Sequence, residues 1–157
     1  MTFNELTDYL QSLPEEIMDA APDIVAETAT EYFKESFTEK AFDGNPWAPA
    51  KVPRKNGSLL VDSGNLVNSI RPAYIGRDKV IISAGNDKVG YAQVHNEGYV
   101  GPVAVPAHTR RMKEKNIPVK SHTRQANVPQ RQFMGHSKEL ADKLKKRLQD
   151  YTNSLKR

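Results

Sequence analysis

The apolar positions of this chain recur at two different periods. Near the N-terminus Phe3, Leu6, Leu10 and Leu13 fall at helical spacing, and Pro14 closes the run. A longer helix is predicted over 22–42. Pro22 suits its first turn, Asp23 complements its dipole, and Ile24, Val25, Thr28, Ala29, Tyr32, Ser36 and Phe37 lie along one side. That side should pack on a sheet. At the other end Leu140, Leu144, Leu148, Tyr151 and Leu155 repeat every three or four residues beside a face of Lys, Arg, Asp and Gln. This predicts an amphipathic helix of about five turns beginning near Ser137.

Between the helices the pattern changes. Residues 43–58, "DGNPWAPAKVPRKNGS", show no period and are rich in proline and glycine, so a long loop is expected. It carries the only tryptophan, Trp47, which should dock on its own domain, because an exposed indole leaves costly apolar surface. "LLVDSGNLVNSI" predicts a short helix bearing Leu66, Val67 and Ile70, capped by Asp62 or Ser63. "RPAYIGRDKVIISAG" reads as a hairpin that turns at "GRDK". "YAQVHNEG" predicts a helix of one or two turns closed by Gly98, and "GYVGPVAVP" leads out of it.

One internal echo stands out. "VPAHTRR" starts at Val105 and "VKSHTRQ" at Val119. Each places valine, a small residue and threonine on one face of a strand, with His and Arg on the other. With "MKEKN" as a polar turn, the two copies predict a protruding antiparallel hairpin over about 105–128. Its pairing could bring His108 and His122 face to face, depending on register.

The 157 residues are most simply one domain, with a core over about 22–150. Hydrophobic residues make up only 38%, which calls for a large polar surface or long exposed arms. The net charge of +4 is unevenly spread. Over 106–131 seven basic residues, Arg110, Arg111, Lys113, Lys115, Lys120, Arg124 and Arg131, face Glu114 alone. That segment carries +6 and leaves −2 for the rest. Such an arm suits a phosphate backbone or the acidic face of a partner subunit, or simply stays solvated. No apolar run approaches the roughly 18 residues that span a bilayer, and the first residues do not read as a signal peptide. A soluble protein made in a cytoplasm is expected.

Candidate chemistry is sparse. The absence of cysteine removes disulfides, thiolate zinc sites and cysteine nucleophiles. His95 and Glu97 stand two apart, on different faces of a helix, so they cannot chelate one ion together. His108 and His122 alone are too few ligands for a stable zinc site. Neither a nucleophile elbow nor a phosphate or dinucleotide loop is present. A hydrolase built on His95 and Glu97 is therefore set aside for a structural His95. No catalytic, metal-binding or cofactor-binding residue is predicted.

The order of the pieces is more specific than any one of them. "GNPWAP", "LLVDSGNLVNSI", "VIISAG", "YAQVHNEG" and "VPQRQFMGHS" follow one another before the last helix. This series resembles the phage virion morphogenesis, or tail-completion, family, which includes the Mu G-type proteins. The matching positions are Gly44, Pro46, Trp47, Leu60, Ser63, Gly64, Leu66, Ile70, Tyr91, Ala92, His95, Gly98, Pro129, Arg131, Phe133 and Gly135, across roughly 25–145. Gln130 and Gln132 depart from the family's usual alanine and proline, and the paired "HTR" strands form a longer insertion. The resemblance implies an α+β fold: an antiparallel sheet packed by a long helix in the N-terminal half and a C-terminal helix, with the long loop and the hairpin projecting. It implies a non-enzymatic subunit of the tail end or head–tail junction that assembles into rings, with itself, tail tube or connector proteins as partners. Trp47, Gly64, Tyr91, His95, Gly98, Arg131 and Phe133 would then be structural. His95 and Gly98 would hinge sheet and arm, and Arg131 with Phe133 would lock the returning strand. The competing reading is a nucleic-acid-binding module using the basic arm, and both hold if the arm lines a channel for DNA.

Overall fold

The computed structural model describes residues 1–53 and 55–156 and shows the α+β fold expected. The Phe3 side chain and Arg54 lie outside the described residues. Helix α1 (Phe3–Gln11) opens on a capping box, with the Thr2 hydroxyl accepting from the Glu5 amide and the Glu5 carboxylate accepting from the Thr2 amide. Pro14 ends the run and starts the single turn α2 (Glu15–Met18). Helix α3 (Ala21–Glu39) is the central element and stops at Lys40, whose φ is 56°.

The chain does not stay helical to Phe42. Ala41–Phe42 form strand β1, which pairs with β2 (Asn45–Pro46) across a two-residue turn. Asp43 and Gly44 both have positive φ, 50° and 75°, as a type I′ turn requires. The first part of the expected loop 43–58 is thus a tight hairpin. The short helix α4 (Asn65–Asn68) also differs from expectation. Neither Asp62 nor Ser63 is its N-cap; Gly64 is, in the left-handed region. Strands β3 (Arg71–Ile75) and β4 (Val80–Ser83) make the predicted hairpin, with a register shift between Pro72 and Tyr74. Helix α5 (Ala92–Glu97) ends at Gly98.

The segment after Gly98 is a strand rather than a lead-out. Strand β5 (Tyr99–Val105) pairs with β8 (His122–Val128), and β6 (His108–Met112) pairs with β7 (Lys115–Val119). Among the described residues the strands associate two by two, as four two-stranded ribbons. The last element is α6 (Lys138–Leu155), capped by the Ser137 hydroxyl.

The core forms where α3 meets α6 on one side and the β3–β4 hairpin on the other. Tyr32, Phe33, Phe37, Phe42, Trp47 and Phe133 supply its aromatic centre, with Leu66, Ile70, Val89, Leu140 and Leu144 around them. A second cluster of Ile17, Ala21 and Leu148 fixes α2 against the far end of α6. At the surface the two long helices are tied by Arg147, which reaches Glu27, Glu31 and the Thr28 hydroxyl, and by Lys143 with Glu35.

A polar network fastens α6 to α3 and to the β1–β2 turn. The Tyr32 hydroxyl donates to Glu139 at 3.0 Å and lies 2.7 Å from the Ser137 hydroxyl. The Asp43 carboxylate accepts from the Glu139 amide at 3.1 Å and from Ser137 at 2.8 Å. It therefore occupies the positive end of the α6 dipole. Burial pushes the Tyr32 phenol up to about 12, and its bond to Glu139 adds to this. Burial also raises the Asp43 carboxyl, but the donors at Glu139, Ser137 and Lys138 outweigh it, so the group sits below its ordinary value of 3.8.

A carboxyl with a depressed native pKa stabilises the fold above its unfolded pKa and loses that contribution as pH falls through the native one. Asp43→Asn keeps a residue that tolerates the left-handed turn and removes only the charge. The variant should melt several degrees below wild type at pH 7, and the gap should close as pH falls from 7 through and below the ordinary carboxylate range. Thermal melts followed by circular dichroism across that range check this; a pH-independent gap would show that the carboxylate charge is not what matters.

Candidate functional site

The positions singled out in the sequence gather at the foot of the β5–β8 ribbon, in two adjacent groups. The first is a joint between the Trp47 loop, helix α5 and the chain returning from β8. Trp47 is buried on its own chain. Its ring stands edge-on to Phe37 at 5.3 Å, and its indole N–H donates to the Gln132 carbonyl at 2.5 Å. Phe133 is 1% exposed and packs 5.0 Å from Phe37.

Arg131 is buried as well, and a buried guanidinium is tolerated only when its donors are satisfied. Its Nε donates to the Ala48 carbonyl at 2.9 Å and a terminal nitrogen to the Pro49 carbonyl at 3.1 Å. Its backbone amide donates to the His95 carbonyl at 2.8 Å. One residue thus ties the loop after Trp47 to α5. Gly98 closes α5 with φ 78°, and a Cβ there would stand 3.0 Å from the Gln130 amide nitrogen, so the returning strand passes where a side chain would be.

The sequence reading missed Asn96, the hub of this joint. Its side-chain oxygen accepts from the amides of Phe133 and Met134 at 2.9 and 3.0 Å, and its carbonyl accepts from the Gln130 side chain at 3.2 Å. The only signal was its place inside "YAQVHNEG", where His95 and Glu97 carry the more conspicuous functional groups. Glu97 itself points away and accepts from Gln93.

The second group is a shallow depression of about 220 Å³ beside the joint. Ser63, Gly64 and Leu66, at the start of α4, form one wall, and Tyr91 and His95 form the other. The two rings meet edge to face at 5.7 Å. His95 is half-buried and Tyr91 is 43% exposed, so this aromatic pair faces outward rather than into the core. Among the described residues no group of three or more His, Asp or Glu side chains is placed to hold a metal ion.

The ribbon above the joint carries Arg110, Arg111, Lys113, Lys115, Lys120 and Arg124, all exposed. One register runs its whole length, from Tyr99 opposite Val128 to Met112 opposite Lys115. Pairing breaks only at Pro106-Ala107 and Lys120-Ser121, between the two halves. The echoed sequences meet at this break. Val105 faces His122, and His108 faces Val119, so the histidines do not face each other. Each histidine instead folds its Nδ1 back to the carbonyl two residues before it, Pro106 or Lys120, at 3.0 Å. The repeat is thus a locally two-fold joint, and the ribbon is longer than the expected 105–128.

The chain is an α+β body bearing a long cationic ribbon. The comparison with known families agrees with the resemblance: the model of the phage virion morphogenesis family matches residues 1–153, and the chain belongs to that family. Its role is structural, in building the phage particle. No curated protein and no solved structure gave a significant match. No helix among the described residues is long and apolar enough to cross a membrane.

Asn96→Ala would leave two part-buried amides without their acceptor. Each such loss costs about 1–3 kcal/mol, so the variant should lose roughly 2–6 kcal/mol of stability in urea titrations, toward the lower end because the amides are only part-buried. A loss under about 0.5 kcal/mol would place the strength of the joint elsewhere.

Proposed function

We propose that this protein is a tail-completion or tail-terminator subunit that acts by ring-like self-assembly at the tail end or head–tail junction of the virion. Its chemistry is binding, not catalysis. The observation that carries this reading is the ribbon: from Tyr99 to Val128 no residue is buried. Fourteen residues per strand would span roughly 45 Å if straight. A two-stranded ribbon of this kind is marginal in water and gains its stability from what it lies against. Val100, Met112 and Ile117 are exposed on it, at 78%, 53% and 43%. Its partners are further copies of the chain and the tail tube or connector.

A second reading has the ribbon binding DNA that passes through the assembly, favoured by its six exposed cations. Affinity would then fall by about 0.9 log unit per phosphate contact for each tenfold rise in salt. Tyr99 is the ribbon's one aromatic, and its hydroxyl is bound to the Pro102 carbonyl, so base stacking contributes little.

Replacing residues 111–116 by Asn-Gly keeps Arg110 opposite Ile117 and so preserves the register. The shortened protein should melt within about 2 °C of wild type, because surface changes cost little, and should assemble poorly. Light scattering and electron microscopy, alone and with purified tail tubes, give the readout. Wild-type protein that stays monomeric at high concentration and on tail tubes would argue against the proposal; an unfolded shortened variant would place the ribbon in the core.

A further inference from the structure

The distal half of the ribbon has one face of unusual composition. Cross-strand neighbours share a face, and here they are His108 with Val119, Arg110 with Ile117, and Met112 with Lys115. Each pair joins one apolar and one basic side chain. No described residue covers this face: all these residues are exposed except Val119, which is half-buried. Its partner must therefore offer apolar surface and negative charge at the same place.

The body offers both. Residues 1–33 contain eight carboxylates and neither Lys nor Arg. All eight, Glu5, Asp8, Glu15, Glu16, Asp19, Asp23, Glu27 and Glu31, are exposed. Arg77 pairs with Glu15 and Asp19, and Arg147 with Glu27 and Glu31. Asp8, Glu16 and Asp23 have no ion pair among the described residues. Helices α1 and α2, which carry Asp8 and Glu16, also line an open groove of about 1050 Å³. Leu6, Leu10, Met18, Val25 and Ile82 give it an apolar floor, and the ionic groups at its edge, among them Asp78 and Lys79, are of both signs.

We infer that the ribbon tip of one copy docks on the α1–α2 side of another, with Met112 and Ile117 entering the groove and Arg110 and Lys115 meeting the acids of the flanking helices. The inference rests on the self-assembly reading and specifies its contact. Ribbon and groove are different surfaces of one chain, so the contact is head-to-tail, and repeated copies close into a ring or extend as a filament. The charge separation sets the direction: ribbon meets body, whereas ribbon–ribbon and body–body encounters are repelled.

A charge exchange between two variants tests it. The ribbon variant carries Arg110→Glu and Lys115→Glu; the body variant carries Asp8→Lys and Glu16→Lys. All four positions are exposed, so both proteins should fold, which circular dichroism checks. Each variant alone should associate at least about tenfold more weakly than wild type in sedimentation velocity. In an equimolar mixture the reversed ribbon meets the reversed body and the native ribbon meets the native body, so assemblies of wild-type mass should return. Variants that each assemble like wild type would overturn this contact while leaving ring assembly intact. So would a mixture that stays dissociated. Loss of binding to a 30-base-pair duplex in the ribbon variant alone, with assembly unchanged, would assign the ribbon to DNA. A wild-type protein that never associates, alone or on tail tubes, would remove the self-assembly reading and this contact with it.

Discussion

A buried guanidinium sets the constraint on which the rest of the structure depends. Arg131 lies inside the protein with its charge turned to two carbonyls of the loop after Trp47. Stranding that charge would cost far more than any one contact around it contributes. The loop must therefore lie against the chain returning from the ribbon. Because the Arg131 amide is bonded to the His95 carbonyl, α5 must lie there too. Asn96 takes the next free amides and Gly98 leaves room for the crossing, so the ribbon leaves and re-enters the body through one rigid joint.

Above the joint the physics reverses. The body is ordered by burial: aromatic packing around Phe37, and a polar network from Tyr32 to Ser137, Asp43 and Glu139 in which neighbouring polar groups satisfy one another. The ribbon has none of this. Its order comes from backbone pairing in one register, interrupted by the two-fold break at Pro106 and Lys120. A stiff base carrying a long, solvated, cationic extension can reach a second molecule without disturbing its own core. This is the mechanical reason the architecture suits assembly of a particle.

The family resemblance and the geometry illuminate each other. Six of the positions that carry the resemblance fall into two groups once the chain is folded. Trp47, Arg131 and Phe133 are buried in the joint, where their chemistry is spent on the chain itself. Gly64, Tyr91 and His95 line an outward-facing depression next to it. The ribbon, which departs most from the simpler pattern, has no buried residue from Tyr99 to Val128.

The sequence by itself determined every described helix but α2, the β3–β4 hairpin, the turn of helix ending at Gly98 and the charge of the ribbon. These are local matters: period, caps, glycine, proline and the sign of side chains act within a few residues. It also held the Asp43-Gly44 turn, hidden in a segment whose prolines read as loop. What only the tertiary structure decided was pairing and burial. Strand partners depend on register, so the same "HTR" copies that suggested facing histidines set each histidine opposite a valine. "GYVGPVAVP" became a strand because β8 lies beside it, which no local preference for glycine and proline foretells. Arg131 reads in sequence as one more basic residue of a charged arm. It is a core residue because carbonyls some eighty residues earlier in the chain surround it, and such an encounter exists only in the folded chain.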